Sequence, residues 1–171
     1  MSGRTSSTSG FTLIETLVVL SITALLSTVL ILYSHIGENQ IALFRDQSQV
    51  IGIIAKAKSL ALQTYVSGGA ACGYGVHFTL PNTVILFKDQ AANCANSDNV
   101  YSGPSEEFSH LILDQNITFA STDMTDILFV PPDPTVIMTP AITSGTITLQ
   151  AAGSTAQVKI KVNSAGQIST N

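Results

Sequence analysis

Residues 11–33 carry a single charge, Glu15, and contain neither proline nor glycine. At about 1.5 Å per residue, a helix of that length matches a hydrocarbon core of about 30 Å. The run therefore predicts an N-terminal helix that spans a membrane, and any other structure has to be built from the residues after it. Ahead of it, residues 1–10 are polar and end in Gly10, with Arg4 as their one charge. Glu15 is the exception inside the apolar run. A carboxylate at the centre of a spanning helix costs roughly 2.5–3.5 kcal/mol, so it needs a partner or a task. Close to the helix start it gains from the positive end of the helix dipole. It could also simply reach back to the headgroups.

In a secretory signal the apolar stretch precedes the cleavage site and is discarded with it. Here the expected cut, after Gly10, precedes the apolar run, which would stay with the mature chain. The residues Gly10-Phe11-Thr12-Leu13-Ile14-Glu15, directly before a spanning helix, resemble the N-terminal signature of type IV pilins and pseudopilins. The resemblance implies that a prepilin peptidase cuts between Gly10 and Phe11 and methylates the new terminus, Phe11. It implies that Glu15 pairs with the N-terminal amine of a neighbouring subunit during filament assembly. Its implied partners are the peptidase, other pilin or pseudopilin subunits met through the N-terminal helix, and an inner-membrane assembly platform.

At 171 residues the chain has room for one small domain behind the anchor. The 45% hydrophobic content and mean hydropathy of +0.37 are raised by the anchor. Charged residues make up only 11%, and the formal net charge is −4. A chain of that charge is not an obvious nucleic-acid binder, because phosphate binding draws on clustered Lys and Arg. Arg4 is the only basic residue near the first end of the span, a weak bias that favours a cytoplasmic N-terminus and a C-terminal part outside. In such a translocated part, Cys72 and Cys94 favour a disulfide, worth roughly 3 kcal/mol by loop entropy. Two free thiols buried as small apolar groups is the other reading.

From residue 34 to about 66 apolar residues continue at steps of three and four: Ile41, Phe44, Ile51, Ile54, Ala55, Leu62 and Tyr65, with Lys58 as the exception. This predicts an amphipathic continuation of the first helix. Gly37 and Gly52 weaken it by roughly 1 kcal/mol each and could mark bends, or Gly37 could end it. Ser67-Gly68-Gly69 is the expected stop. Beyond it the period changes to two. Residues 74–80 and 83–88 flank Pro81-Asn82, a hairpin signal. Further strands are expected at 108–113 and 117–120, around Asp114-Gln115-Asn116, and at 127–130. The prolines of 131–134 predict a rigid edge or crossover rather than a central strand. Residues 146–150 and 157–162 read as a hairpin, and 167–169 as a last short strand.

The expectation is an α+β pilin fold: a long N-terminal helix packed on an antiparallel β-sheet or sandwich of roughly seven short strands. Its divisions are a leader at 1–10, a transmembrane and filament-core helix at 11–33, an amphipathic continuation at 34–66 and a β-rich domain at 67–171. The strand entry Cys72-Gly73-Tyr74-Gly75-Val76-His77-Phe78 and the C-terminal Val158-Lys159-Ile160-Lys161-Val162 resemble GspH/FimT-type minor pseudopilins. That resemblance implies a single-pass protein of the cytoplasmic membrane with its C-terminal domain periplasmic or extracellular, in a type II secretion pseudopilus or a type IV pilus.

No catalytic residue, metal site, cofactor or small-molecule substrate is expected. There is no Cys/His cluster at metal spacing, no GxSxG or HExxH, and no phosphate-binding glycine loop. His35, His77 and His110 are far apart in sequence, and the last two read as half-exposed strand residues. Glu106-Glu107 and the pair Asp123 and Asp126 read as solvated loops. Lys159 and Lys161 alternate along a strand and so share one face. Some FimT-like proteins bind DNA through basic C-terminal residues, so these two lysines are where a weak DNA contact would form. A DNA-uptake module, or a signal-anchored ectodomain outside any filament, is the rival reading.

Overall fold

The computed structural model of the chain describes residues 10–67, 71–132 and 135–171. Helix α1 runs over Leu13–Ser67 and stays helical through both Gly37 and Gly52. Gly37 therefore does not end it. The expected leader at 1–10, Gly10 apart, and the glycine stop at 68–69 lie outside the described residues. The chain divides into two compact units, Met1–Glu38 and Asn39–Asn171. The second part of α1 thus belongs with the β-strands.

In the first unit, Leu13–Ile31 is long and apolar enough to cross a membrane, with a mean hydropathy of 2.2 and none of it buried in protein. Its five hydroxyls are each satisfied within the helix. Thr16, Ser21, Thr23, Ser27 and Thr28 donate to carbonyls three or four residues back, at 2.8 to 3.0 Å. Such back-bonding leaves these side chains no open donor in lipid, where an unmet polar group costs several kcal/mol.

In the second unit, nine strands lie among the described residues: β1 Gly73–Thr79, β2 Thr83–Asp89, β3 Glu107–Ile112, β4 Ile117–Thr122, β5 Asp126–Val130, β6 Thr135–Thr139, β7 Ser144–Ala151, β8 Gln157–Asn163 and β9 Ile168–Thr170. They form a five-stranded sheet in the order β3-β2-β1-β5-β6 and a four-stranded sheet in the order β4-β7-β8-β9. All pairings are antiparallel. The expected hairpins are present, β1 with β2 and β7 with β8. β6, not anticipated behind its prolines, contains none of them and is an edge strand paired with β5.

Asp114-Gln115-Asn116 does not turn a hairpin, since β3 and β4 belong to different sheets. The crossing is tied to α1. Asp46 is fully buried and accepts from the Asp114 amide at 2.6 Å. Arg45 donates to Asp46 at 3.0 and 3.1 Å and to Asp114 at 3.2 Å. The Asn116 amide, with help from Arg45, holds the Asp114 carboxyl below its ordinary range.

The main core lies among the second part of α1 and the strands of both sheets. From α1 it takes Leu43, Val50, Ile54, Ala57 and Ala61, spaced by three, four and seven as one helical face requires. This corrects the expected stripe, of whose described members Ile54 alone is fully buried and Ile51 is partly buried against the core. Ile41 is 72% exposed, Phe44 58% and Leu62 39%. Lys58, half-buried, reaches the Gly166 carbonyl at 3.2 Å. Tyr65 lies where no side chain is described.

Phe87 and Leu128 are fully buried yet stand apart from that cluster. They form a satellite core with Tyr101, whose ring lies 5.7 Å from that of Phe87. Gly73 and Gly75 make it possible: a Cβ at Gly75 would sit 2.7 Å from the Ile127 carbonyl and collide with the Phe87 ring. The segment between β2 and β3 is fastened by the disulfide Cys72–Cys94 and by buried carboxylates. Asp89 accepts from Ser97, Asp126 from the Tyr101 amide and Glu106 from the Ser102 amide. Glu106 and Asp126 are therefore not solvated loop residues. Asp123 is exposed and caps the Thr146 amide at 3.0 Å. Burial pushes the Asp89 carboxyl up from its ordinary value, against the hydrogen bond from Ser97.

Candidate functional site

The candidate site is the N-terminal end of α1. Among the described residues nothing lies within 4 Å of where a Cβ on Gly10 would stand, and Phe11 is 80% exposed. The peptide between them is thus open on the side-chain side. Thr12 precedes the first helical residue and acts as its cap. Its Oγ1 accepts from the Glu15 amide at 3.3 Å, and Glu15 Oε2 accepts in return from the Thr12 amide at 3.5 Å. This reciprocal pair is a capping box, which satisfies two of the helix's orphan amides. The signal for it, Thr-x-x-Glu before an apolar run, stands in the sequence, and Thr12 was the residue not read from it.

The box explains how Glu15 can sit at the start of an apolar helix. Its charge lies where the helix dipole favours an anion, and one oxygen meets an amide. That bond is long, and a carboxylate offers about four acceptor sites. Among the described residues Glu15 makes no ion pair. The carboxylate is oriented by its own helix and keeps capacity for a cation from elsewhere.

Residues 5–31 match the family described as the prokaryotic N-terminal methylation motif. The N-terminus is pilin-like. The match includes Gly10, Phe11 and Glu15, and leaves the β-strands outside it. No curated protein and no solved structure matches the chain. A pilin-like motif of this kind implies processing by prepilin peptidase, anchoring in the membrane and assembly with other pilins. Together with the two antiparallel sheets, α1 gives the chain the expected α+β, pilin-like architecture.

The other residues singled out from sequence, His35 excepted, belong to the second unit. The disulfide Cys72–Cys94 has an S–S distance of 2.07 Å and closes the segment over the satellite core. Lys159 and Lys161 both lie exposed on β8, opposite Thr148 and Thr146 of β7. His77 binds Asp126 at 2.8 Å, and its ring stacks obliquely at 5.0 Å from Tyr101. His110 binds Glu107 at 2.7 Å. The two described histidines thus have separate carboxylate partners and do not converge. The side chain of His35 is not described.

Proposed function

We propose that the chain is a minor pilin or pseudopilin of the GspH/FimT type, a structural subunit rather than an enzyme. Prepilin peptidase cuts it between Gly10 and Phe11 and methylates Phe11. It waits in the cytoplasmic membrane with its N-terminus inside and its β-domain outside. The assembly platform then moves it into a type II secretion pseudopilus or a type IV pilus.

The observation that carries this reading is the Glu15 carboxylate, held by Thr12 at the start of an apolar helix with acceptor capacity to spare. The amine created at Phe11 of a neighbour is a cation that fits it, and both charges leave lipid together when the helices bundle. A second support is the exposed face of α1 in the β-domain. Ile41, Phe44 and Leu62 bracket Ser48, Gly52, Ala55 and Ser59 there, small residues that let another helix approach closely. The strand entry from Cys72 to Phe78 and the segment from Val158 to Val162 support the GspH/FimT subtype by resemblance alone.

The test is to express Glu15→Ala beside the parent chain in cells with an intact pilus or pseudopilus machine, and to follow both in sheared filaments. The variant should be cut at Gly10 and stay in the membrane, and should fall by at least about tenfold in the filament fraction. Equal incorporation of parent and variant would end the assembly role given to Glu15. A parent chain absent from every filament would leave a signal-anchored ectodomain.

A further inference from the structure

We propose that the end of the four-stranded sheet built from β7, β8 and β9 is a binding pocket for an acidic saccharide. It is a hollow of about 600 Å³ lined by Ser144, Lys161, Asn163, Gln167, Ile168 and Ser169, within the size range of small-ligand sites. Lys161 lines it from β8, opposite Thr146 of β7 and Ser169 of β9. Beyond Lys161 a smaller hollow of about 140 Å³ continues past Thr146, Lys159 and Asn171.

The wall of this pocket is a fixed turn. Asn163 Oδ1 accepts from the amides of Ala165 at 3.1 Å and Gln167 at 2.9 Å, and its Nδ2 donates to Gln167 Oε1 at 2.9 Å. Gly166 turns the chain at a φ of +67°, a conformation that costs glycine nothing. Lys58 of α1 fastens the Gly166 carbonyl, and backbone bonds tie Ser164 to Val136 and Thr143. Ser144 Oγ is buried without a hydrogen-bond partner among the described residues.

The lining selects the ligand's chemistry. Lysine only donates, so Lys161 and Lys159 call for an anionic oxygen; the hydroxyls and amides around them both donate and accept. Sugar hydroxyls match that dual character, whereas a phosphate or carboxylate alone only accepts. Ile168 adds an aliphatic surface for the C–H face of a ring. Among the described residues no acidic side chain lines either hollow. Among the same residues no aromatic side chain does either, so they offer no stacking platform of the kind on which single-stranded nucleic acids rest. Two lysines also release few counterions from a duplex. A uronic-acid sugar, with one carboxylate on a hydroxylated ring, supplies every group the pocket asks for.

The test is calorimetric titration of the full chain, held in a polyoxyethylene detergent, with trigalacturonate. A neutral trisaccharide and oligothymidylate serve as comparators. Trigalacturonate should bind saturably, and at least about tenfold more tightly than the neutral sugar. Lys161→Gln should weaken it by about the same factor. Lys56→Gln, which removes an equal charge away from the pocket, should not. Unchanged near-ultraviolet circular dichroism of Lys161→Gln keeps a folding defect from imitating the result. Absence of saturable binding would overturn the proposal, as would equal binding of the neutral sugar or equal loss in Lys56→Gln. Tighter binding of oligothymidylate would replace the saccharide with a nucleic acid.

Discussion

The two parts of α1 are helices of the same backbone kind that meet different solvents. Over Leu13–Ile31 every described side chain is exposed, every hydroxyl is bonded within the helix, and no face differs from another in burial. In the second unit one face is buried from Leu43 to Ala61, while Ile41, Phe44 and Leu62 lie open. The first part is defined by hydroxyls that are all met within the helix, with Glu15 as the one polar group that keeps capacity to spare, and the second by which of two apolar stripes the strands cover. An apolar run is therefore enough to recognise the first part. For the second, spacing alone cannot choose between two candidate faces.

The sharpest way to break this comparison is to truncate one residue from each stripe of the second part. Ile54→Ala removes a fully buried side chain and should cost about 2–5 kcal/mol, read from thermal melts of the full chain in detergent. Phe44→Ala on the open stripe should stay within about 0.5 kcal/mol, while reducing filament incorporation. Equal destabilisation by the two would mean that the buried face has been misassigned.

The next effect concerns the satellite core. Replacing Cys72 and Cys94 by serine frees the segment over Phe87 and Leu128, and should cost about 3 kcal/mol. A melting temperature unchanged by the double substitution would mean that the buried carboxylates alone hold that segment.

A smaller effect belongs to the first part of α1. Thr12→Ala removes the hydroxyl cap and should cost about 1 kcal/mol of local helix stability, seen as faster amide exchange at residues 13–16 in micelles. Thr12→Ser, which keeps the oxygen, should restore protection. Exchange that is equal in all three proteins would mean that Glu15 is not held by its own helix.

The smallest effect is a pH slope. Burial raises the Asp89 carboxyl in the folded state, so the unfolded chain loses its proton first as pH rises. Stability contributed by this group is thus full below the unfolded value of about 3.9 and declines as pH climbs through the raised folded value. Asp89→Asn should flatten the stability profile from about pH 4 upward. A profile that steepens instead would mean that the hydrogen bond from Ser97 outweighs burial.

Much of this was legible from residues. The spanning run, the signature around Gly10 and the two hairpins depend on local signals: apolar length, a motif, and Pro81-Asn82 between alternating strands. β6 escaped because prolines at 131, 132 and 134 argue against a strand, although they fall in the connection between β5 and β6 and leave Thr135–Thr139 free to pair. Asp126 and Glu106 looked solvated because nothing near them in sequence marks burial; Asp126 meets His77 across 49 positions. Asp46 is similar, buried through an amide 68 positions away. The capping box was the opposite case, a local signal that lay in plain view at Thr12 and Glu15. The satellite core could not be read at all, since Phe87 and Leu128 look like any alternating strand residues until Gly75 is seen beneath the Phe87 ring and Gly73 beside Leu128.

The most direct test is the intact mass and N-terminal sequence of the chain made in cells with a prepilin peptidase. The account predicts a protein that begins at methylated Phe11 and lacks residues 1–10, with α1 still holding it in the membrane. A membrane-bound chain that retains residues 1–10, unmethylated, would contradict it.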